Sequence, residues 1–281
     1  MPLEKFRYLL LTFLALIPAA YADVDDYIFP NQDVASFSNY STLGLIQSPS
    51  ARFHPAGSLA FSWSSLDPYL RGAIVAYPFD WLDAAYHYTD INNAYYSFTP
   101  EFSGSQTYKD KGFDLKIRLI KERKYIPQLA AGIRDFAGTG VFAAEYLVAS
   151  KKIRNYDFTL GLGFGSLANN SITNPLATLF DQFNVREAEL SNTQGGEPNF
   201  KRFFRGDAGI FGGVEITLPS QNGTKLKLEY DGTDYTKEGF PFGGESFQYA
   251  FEPVRQSQSK FNYGIVYPLN KSLHLKASFI K

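Results

Sequence analysis

The segment Tyr156-Asp157-Phe158-Thr159-Leu160-Gly161-Leu162-Gly163-Phe164-Gly165 decides the fold. Every even position in it is bulky and apolar, and every odd position is Asp, Thr or Gly. A period of two is that of a β-strand, whose successive side chains point to opposite faces. The alternation returns in Phe113, Leu115, Ile117 and Leu119 against Asp114, Lys116 and Arg118. It returns again in Phe261, Tyr263, Ile265 and Tyr267 against Asn262 and Gly264, and in Leu273, Leu275, Ala277 and Phe279 against His274, Lys276 and Ser278. Each run lasts about ten residues, which matches the roughly 9–11 that cross a bilayer as a tilted strand and exceeds the usual 5–6 of soluble strands.

Twelve such strands are predicted, near 57–66, 71–78, 81–90, 112–121, 127–135, 141–150, 155–165, 207–218, 224–231, 246–252, 258–267 and 271–280. The long connections, 91–111, 166–206 and 232–245, are the third, seventh and ninth, while the even-numbered connections are short. Transmembrane barrels segregate loop length in this way, with short periplasmic turns and long external loops. A soluble sandwich or barrel, with its apolar face inward, is the alternative source of the alternation. Loop lengths and strand lengths favour the antiparallel transmembrane β-barrel, apolar toward lipid and polar or Gly toward the lumen. Trp63, Tyr77, Trp81, Tyr86, Tyr88, Tyr146, Tyr156 and Tyr267 fall at strand ends, where an aromatic girdle sits. Within 166–206, Leu176, Phe180, Phe183 and Val185 stand near helical spacing and predict a short lid helix.

Residues 1–22 read as a secretory signal peptide: Lys5 and Arg7 precede the apolar run Leu9–Ile17, and Ala20-Tyr21-Ala22 supplies the small-x-small pattern for cleavage after Ala22. The apolar run is too short to span as a helix, which takes about 20 residues. Residues 23–56 are polar and without a strong period, and are expected on the periplasmic side or tucked into the lumen of a barrel formed by 57–281. Localisation in the outer membrane of a Gram-negative cell follows, with outer-membrane lipid as a partner.

Composition removes other classes. Lys and Arg number 27 against 28 Asp and Glu, so the chain carries no electrostatic footprint for nucleic acid. The absence of Cys excludes disulfides, thiolate zinc sites, Cys nucleophiles and a lipidated cysteine. No cofactor is expected, and no His or carboxylate spacing marks a metal site. His87 and His274 lie on polar strand faces, where a Ser–His hydrolase built on a barrel wall is conceivable, but no partner motif accompanies them. Asp25-Asp26 reads as a solvated pair rather than a glycosidase dyad. No catalytic residue is assigned.

Ten charged residues fall on the predicted inner face: Asp114, Lys116, Arg118, Arg134, Asp135, Glu145, Asp157, Glu215, Lys227 and Glu229. Opposite charges enclosed together are expected to pair, since an unpaired buried charge is costly. Together with Tyr and Trp faces they also suit a polar track for a carbohydrate.

Several stretches resemble the YjbH/GfcD family of outer-membrane exopolysaccharide (group 4 capsule) biosynthesis proteins. They are 44–52 (Gly-Leu-Ile-Gln-Ser-Pro-Ser-Ala-Arg), 108–116 (Tyr-Lys-Asp-Lys-Gly-Phe-Asp-Leu-Lys), Gly132-Ile133-Arg134-Asp135 with Gly138-Thr139-Gly140, and 145–151 (Glu-Tyr-Leu-Val-Ala-Ser-Lys). Phe158 to Gly165, Gly212-Gly213-Val214-Glu215 and Leu228-Glu229-Tyr230-Asp231 continue the series. The resemblance runs from about residue 40 to the last residue and is to the N-terminal part of a longer family. It implies a non-enzymatic barrel assisting secretion or assembly of an exopolysaccharide chain, beside other polysaccharide export proteins. A passive oligosaccharide or solute porin is the runner-up.

Overall fold

A computed structural model describes residues 35–281 apart from 41, 97–99, 139, 170–171, 187–200, 222, 236–256, 271 and 281. The predicted signal peptide and the predicted strand at 246–252 lie outside the described residues. The rest is almost entirely β: β1 (Ser58–Leu66), β2 (Tyr69–Phe79), β3 (Leu82–Tyr95), β4 (Thr107–Ile120), β5 (Gln128–Arg134), β6 (Ala144–Ile153), β7 (Tyr156–Gly165), β8 (Ala208–Leu218), β9 (Thr224–Tyr230), β10 (Phe261–Pro268) and β11 (His274–Phe279). They form one 11-stranded sheet in sequence order, with every ladder antiparallel.

Two expectations change. β9 pairs directly with β10 through Phe261 opposite Tyr230, so no strand separates these two in the sheet. Counted over the described strands, the segregation of loop lengths survives: 96–106, 166–207 and 231–260 are the third, seventh and ninth intervals between successive strands. The lid helix does not form among the described residues of the 166–207 connection, which hold only a 3-10 turn at Asp181–Phe183. Asn174 organises that region instead. Its side-chain oxygen accepts from the Leu176 amide at 2.9 Å, and its amide donates to the carbonyls of Phe183 and Phe204. Local Asn side-chain bonds of this kind compete with helix formation.

The two faces of the sheet have opposite chemistry. Phe61, Trp63, Ile74, Tyr86, Phe113, Phe158, Leu160, Leu228, Phe261, Tyr263 and Leu275 are exposed on one face, with Leu160 at 64%. The other face holds buried Arg71, Asp83, His87, Asp114, Lys116, Arg134, Glu215, Lys227, Glu229 and Asn262. Charges that alternate onto the apolar face sit toward its margins: Asp90, Lys109, Lys111 and Glu145 toward the long connections, and Lys151 toward the short ones.

The polar face is concave. The Asn39 carbonyl accepts from Ser64 Oγ of β1 at 2.8 Å, and the neighbouring Ser38 carbonyl accepts from Lys276 Nζ of β11 at 2.6 Å. Strands lie about 4.8 Å apart, so a flat sheet of this width would separate its edges by roughly 48 Å. Two adjacent residues reach both edges only because the sheet curls around them. The segment 35–53 supplies the apolar packing at the centre of that curl. Tyr40 packs with Tyr69, Ile91, Val141 and Phe142; Leu43 packs with Ala73, Val75, Tyr77 and Ala85; Ala51 packs with Ala130, Tyr146, Val148 and Phe211.

Close approach of segment to sheet needs small residues. A Cβ on Gly213 would stand 2.9 Å from Leu45 Cδ1 and 2.1 Å from the Leu228 carbonyl. Gly213→Ala is therefore expected to destabilise the fold by about 1–3 kcal/mol through overpacking. Urea unfolding of the purified protein checks this, with Ser65→Ala, on the opposite face, expected within about 0.5 kcal/mol of the parent.

Candidate functional site

The site is the concave face together with the segment that fills it. Residues 36–53 include five Ser and form no regular strand or helix among the described residues; the bridges Phe37–Leu43 and Gly44–Pro49 and main-chain bonds such as Ser38 N–H to Thr42 and Asn39 N–H to Ile46 tie them into a folded-back segment. The buried N–H and C=O groups that these bonds leave over must be satisfied elsewhere. The sheet's charged side chains do this.

Glu229 on β9 accepts from three consecutive amides, Ile46 at 3.1 Å, Gln47 at 2.9 Å and Ser48 at 2.8 Å, and from Asn262 Nδ2 at 2.9 Å. The cations take the carbonyls. Lys227 Nζ donates to Gly44 and Leu45 at 2.7 Å each, Arg134 Nη2 to Gln47 at 3.0 Å, and Lys116 Nζ to Arg52 at 2.7 Å. Gln128 donates to the Ala51 carbonyl, while the Ala51 amide donates to Ser150 Oγ at 3.0 Å. Lys116 also pairs with Asp83 at 3.1 Å, Lys225 with Glu215 at 2.8 Å, and Ser36 donates to Glu215. Leu43, Gln47 and Ser48 are fully enclosed as a result.

At the short-turn end, Arg52 reaches Asp157 through two bonds of 2.8 and 2.7 Å and also donates to Glu122. Burial works against the charged guanidinium there, but the two carboxylates outweigh it and raise its pKa. Glu122 is correspondingly lowered: burial opposes, and hydrogen bonds from Lys151, Arg52 and the Lys152 amide prevail. His54 packs against Phe37 and edge-on to Tyr77. Burial, and then the positive charge of Lys116, lowers it to about 4, so it is neutral near pH 7.

Near the long connections the filling is aromatic and basic. The Arg71 guanidinium lies 4.2 Å from the Tyr40 ring centre and 4.1 Å from that of Tyr69, and Arg134 lies 4.3 Å from Tyr40. Stacking of this kind is favourable when desolvated. Between these groups and Thr89, His87, Asp114 and Phe142 remains a void of about 10 Å³, room for about one water.

The structure places nine of the ten predicted charges on the concave side: Asp114, Lys116, Arg118, Arg134, Asp157, Glu215, Lys227 and Glu229 by strand parity, and Asp135 in the turn that closes over it. Arg118 pairs with Asp80 at 3.3 Å and lies 5.0 Å from the Phe53 ring centre. Glu145 is the correction. It alternates with exposed Leu147 onto the outer face, opposite Tyr146. It is nonetheless buried because the 166–207 connection folds over it, with Arg186 bonding both carboxylate oxygens at 2.7 and 3.1 Å and the Phe204 amide adding a third bond. Phe164, expected outward and exposed, is covered by the same connection through an edge contact with Phe204.

Sequence reasoning missed Arg71, Asp83, Asp110, Lys225 and Asp231, all buried, while His87 and Asn262, expected on polar strand faces, are buried there. On β2 and β3 the concave face also carries Ala73, Val75, Tyr77 and Ala85, which blurs the polar alternation that marks β7. Asn262 and Lys225 were visible by parity. His87, Asp110 and Asp135 converge within 4.8 Å of one another although they come from β3, β4 and the turn after β5, so no local spacing reveals them.

Comparison with known proteins places this arrangement. The YjbH family model, described as exopolysaccharide biosynthesis protein YbjH, matches residues 36–281, which begins at the enclosed segment and runs through the last strand. The chain is also 39% identical over 266 residues to the uncharacterized lipoprotein YjbH of Escherichia coli (strain K12). That alignment covers 94% of this chain and 35% of the relative, so the chain spans about a third of the relative's length. No solved structure matches. Matched from the segment that fills the sheet to the sheet's final strand, the chain belongs to the YjbH family of exopolysaccharide biosynthesis proteins.

Proposed function

We propose that this chain is an outer-membrane β-barrel, non-enzymatic, that assists biosynthesis, secretion or assembly of an exopolysaccharide chain beside other export proteins. One observation carries the membrane part: the sheet is inverted, apolar outward and charged inward. A soluble β-fold puts its apolar face on the core. Here the exposed face holds Phe61, Trp63, Phe158, Leu160, Tyr263 and Leu275 while buried Lys, Arg, Asp and Glu fill the concavity. An exposed apolar surface of that extent calls for a cover, and lipid covers all of it at once. Closure of the curled sheet between β1 and β11 belongs to the same proposal, because an open edge cannot stand in hydrocarbon. Membership of an exopolysaccharide biosynthesis family supports the choice of cargo.

The enclosed segment argues against a passive porin. The charges that would line an open channel are bound to main-chain atoms of residues 36–52. Passage of a polymer through the lumen then requires the segment to move aside, which suits a gated assistant in export better than a standing pore. Deletion of the gene is expected to lower surface exopolysaccharide; an unchanged amount overturns the proposed role.

Two substitutions test the parts. In water, replacing the 64%-exposed Leu160 by Arg should change stability by no more than about 0.5 kcal/mol. Facing the bilayer midplane, it should cost about 2–4 kcal/mol. We expect the larger loss, read as a lower urea midpoint for the fast-migrating unheated band on gels of outer-membrane fractions. Glu229→Gln places an amide group against three N–H donors. It should weaken segment docking by about 1.5–3 kcal/mol, speed tryptic cleavage at Arg52, and raise single-channel conductance above a nearly closed parent. An ohmic open pore in the parent would restore the porin.

A further inference from the structure

The cluster around His87 is the part of the concave face that the segment does not explain. His87 Nδ1 lies 3.2 Å from Asp114 Oδ1, and that oxygen also accepts the Asp135 amide at 2.8 Å. The contact assigns the ring hydrogen to Nδ1 and turns the Nε2 lone pair the other way. There it meets carboxylates: Asp110 Oδ2 at 3.6 Å, too long for a hydrogen bond, and Asp135. Asp135 Oδ2 accepts the Phe142 amide at 3.1 Å. Its Oδ1 and His87 Nε2 are both buried and have no hydrogen-bond partner.

Those two unpartnered atoms aim at one place. A Cβ on Gly112, between Asp110 and Asp114, would lie 2.3 Å from Asp135 Oδ1 and 2.7 Å from His87 Nε2. A Cβ on Gly138 would lie 1.9 Å from the same oxygen. Both glycines leave open a space that any other residue would fill. Asp135 itself is held at φ +50°, a left-handed conformation that only Asn and Asp among side-chain-bearing residues adopt with ease. Nε2 facing two carboxylates needs a proton or a metal cation between them, and the 3.6 Å gap to Asp110 together with the unpartnered Asp135 Oδ1 is not the hydrogen-bonded geometry a proton would give.

We propose that His87 Nε2, Asp110 and Asp135 Oδ1 bind one divalent transition cation, of the Zn²⁺ or Mn²⁺ type, and that Asp114 is the positioning residue that orients His87. One imidazole nitrogen and two carboxylates suit these ions better than Ca²⁺, which prefers six to eight oxygens. Asp114 on the far nitrogen is the outer-shell carboxylate that metal-bound histidines usually have. The site ties β3, β4 and the turn after β5 together on the concave side. It depends on neither the membrane nor the polysaccharide reading.

The test uses the full chain in detergent, stripped with chelator and dialysed against ZnCl2 or MnCl2, with bound metal measured by mass spectrometry. The parent should retain one equivalent of at least one of the two ions. Asp135→Asn, which tolerates the left-handed backbone, should weaken binding at least tenfold, as should His87→Gln. Pulsed electron paramagnetic resonance of the Mn²⁺-loaded parent should show nitrogen coupling from one imidazole, a readout that needs no variant to fold. No stoichiometric uptake by the parent, uptake undiminished in both variants, or bound Mn²⁺ without imidazole coupling overturns the proposal. The first of these results is also the one expected if His87 simply carries a second proton between the carboxylates.

Discussion

Enclosing charge away from water is the constraint from which the rest of this structure follows. A Lys or Glu removed from solvent needs more than one opposite charge, because the mutual attraction of a bare pair does not repay the desolvation of both ions. Here the additional partners are peptide groups. Lys116 has Asp83 and a main-chain carbonyl, Lys227 has Glu215 and two carbonyls, and Glu229 has three amides and Asn262. A segment outside any regular ladder is the natural source of such dipoles, since groups such as the amides of 46–48 and the carbonyls of Gly44 and Leu45 are not taken up by its own main-chain bonds. Sheet and segment therefore complete each other: without the segment the inner charges lose the partners beyond their ion pairs, and without the charges several buried main-chain groups of the segment go unsatisfied.

That mutual dependence explains why the sequence was legible in some places and mute in others. In 156–165 a strict period of two gave both the strand and its sidedness, because Phe158 and Leu160 differ from Asp157 and Thr159 by the full scale of hydrophobicity. The same alternation could not locate Glu145 correctly, since the Arg186 that buries it arrives from a connection with no periodic pattern. Phe164 follows the same logic: its parity is as expected, and only Phe204 makes its exposure differ. Residues 35–56 carry no period because side chains far away in sequence impose their shape; their enclosure was only one of two readings open to the sequence. The strand expected at 246–252 lies outside the described residues, and the direct pairing of Tyr230 with Phe261 shows that it does not stand between β9 and β10.

The candidate site was legible as composition and illegible as contact. Parity on β4, β7, β8 and β9 put Lys116, Asp157, Glu215 and Glu229 on one face without saying what each would touch. Contact depends on curl, which brings β1 and β11 to adjacent residues of the segment, and curl leaves no short-range trace in sequence. The His87 group is the extreme case. Its members come from three elements, and the glycines that make room for them look like ordinary strand and turn glycines until their neighbours are known.

The arrangement also bears on what the concave face can hold. In a standing pore, charges that line the channel face water and need no fixed partner. Here Arg134 and Lys116 hold their carbonyls at 3.0 and 2.7 Å, and a void of about 10 Å³ is what remains beside Arg71 and Arg134. Hydrogen bonds to charged groups each contribute about 1.5–3 kcal/mol, so several of them hold the segment against thermal release. A polymer rich in hydroxyl groups offers the same donors and acceptors as a peptide backbone. The side chains that now recognise carbonyls and amides are therefore chemically suited to a sugar chain, once something outside this sheet draws the segment away.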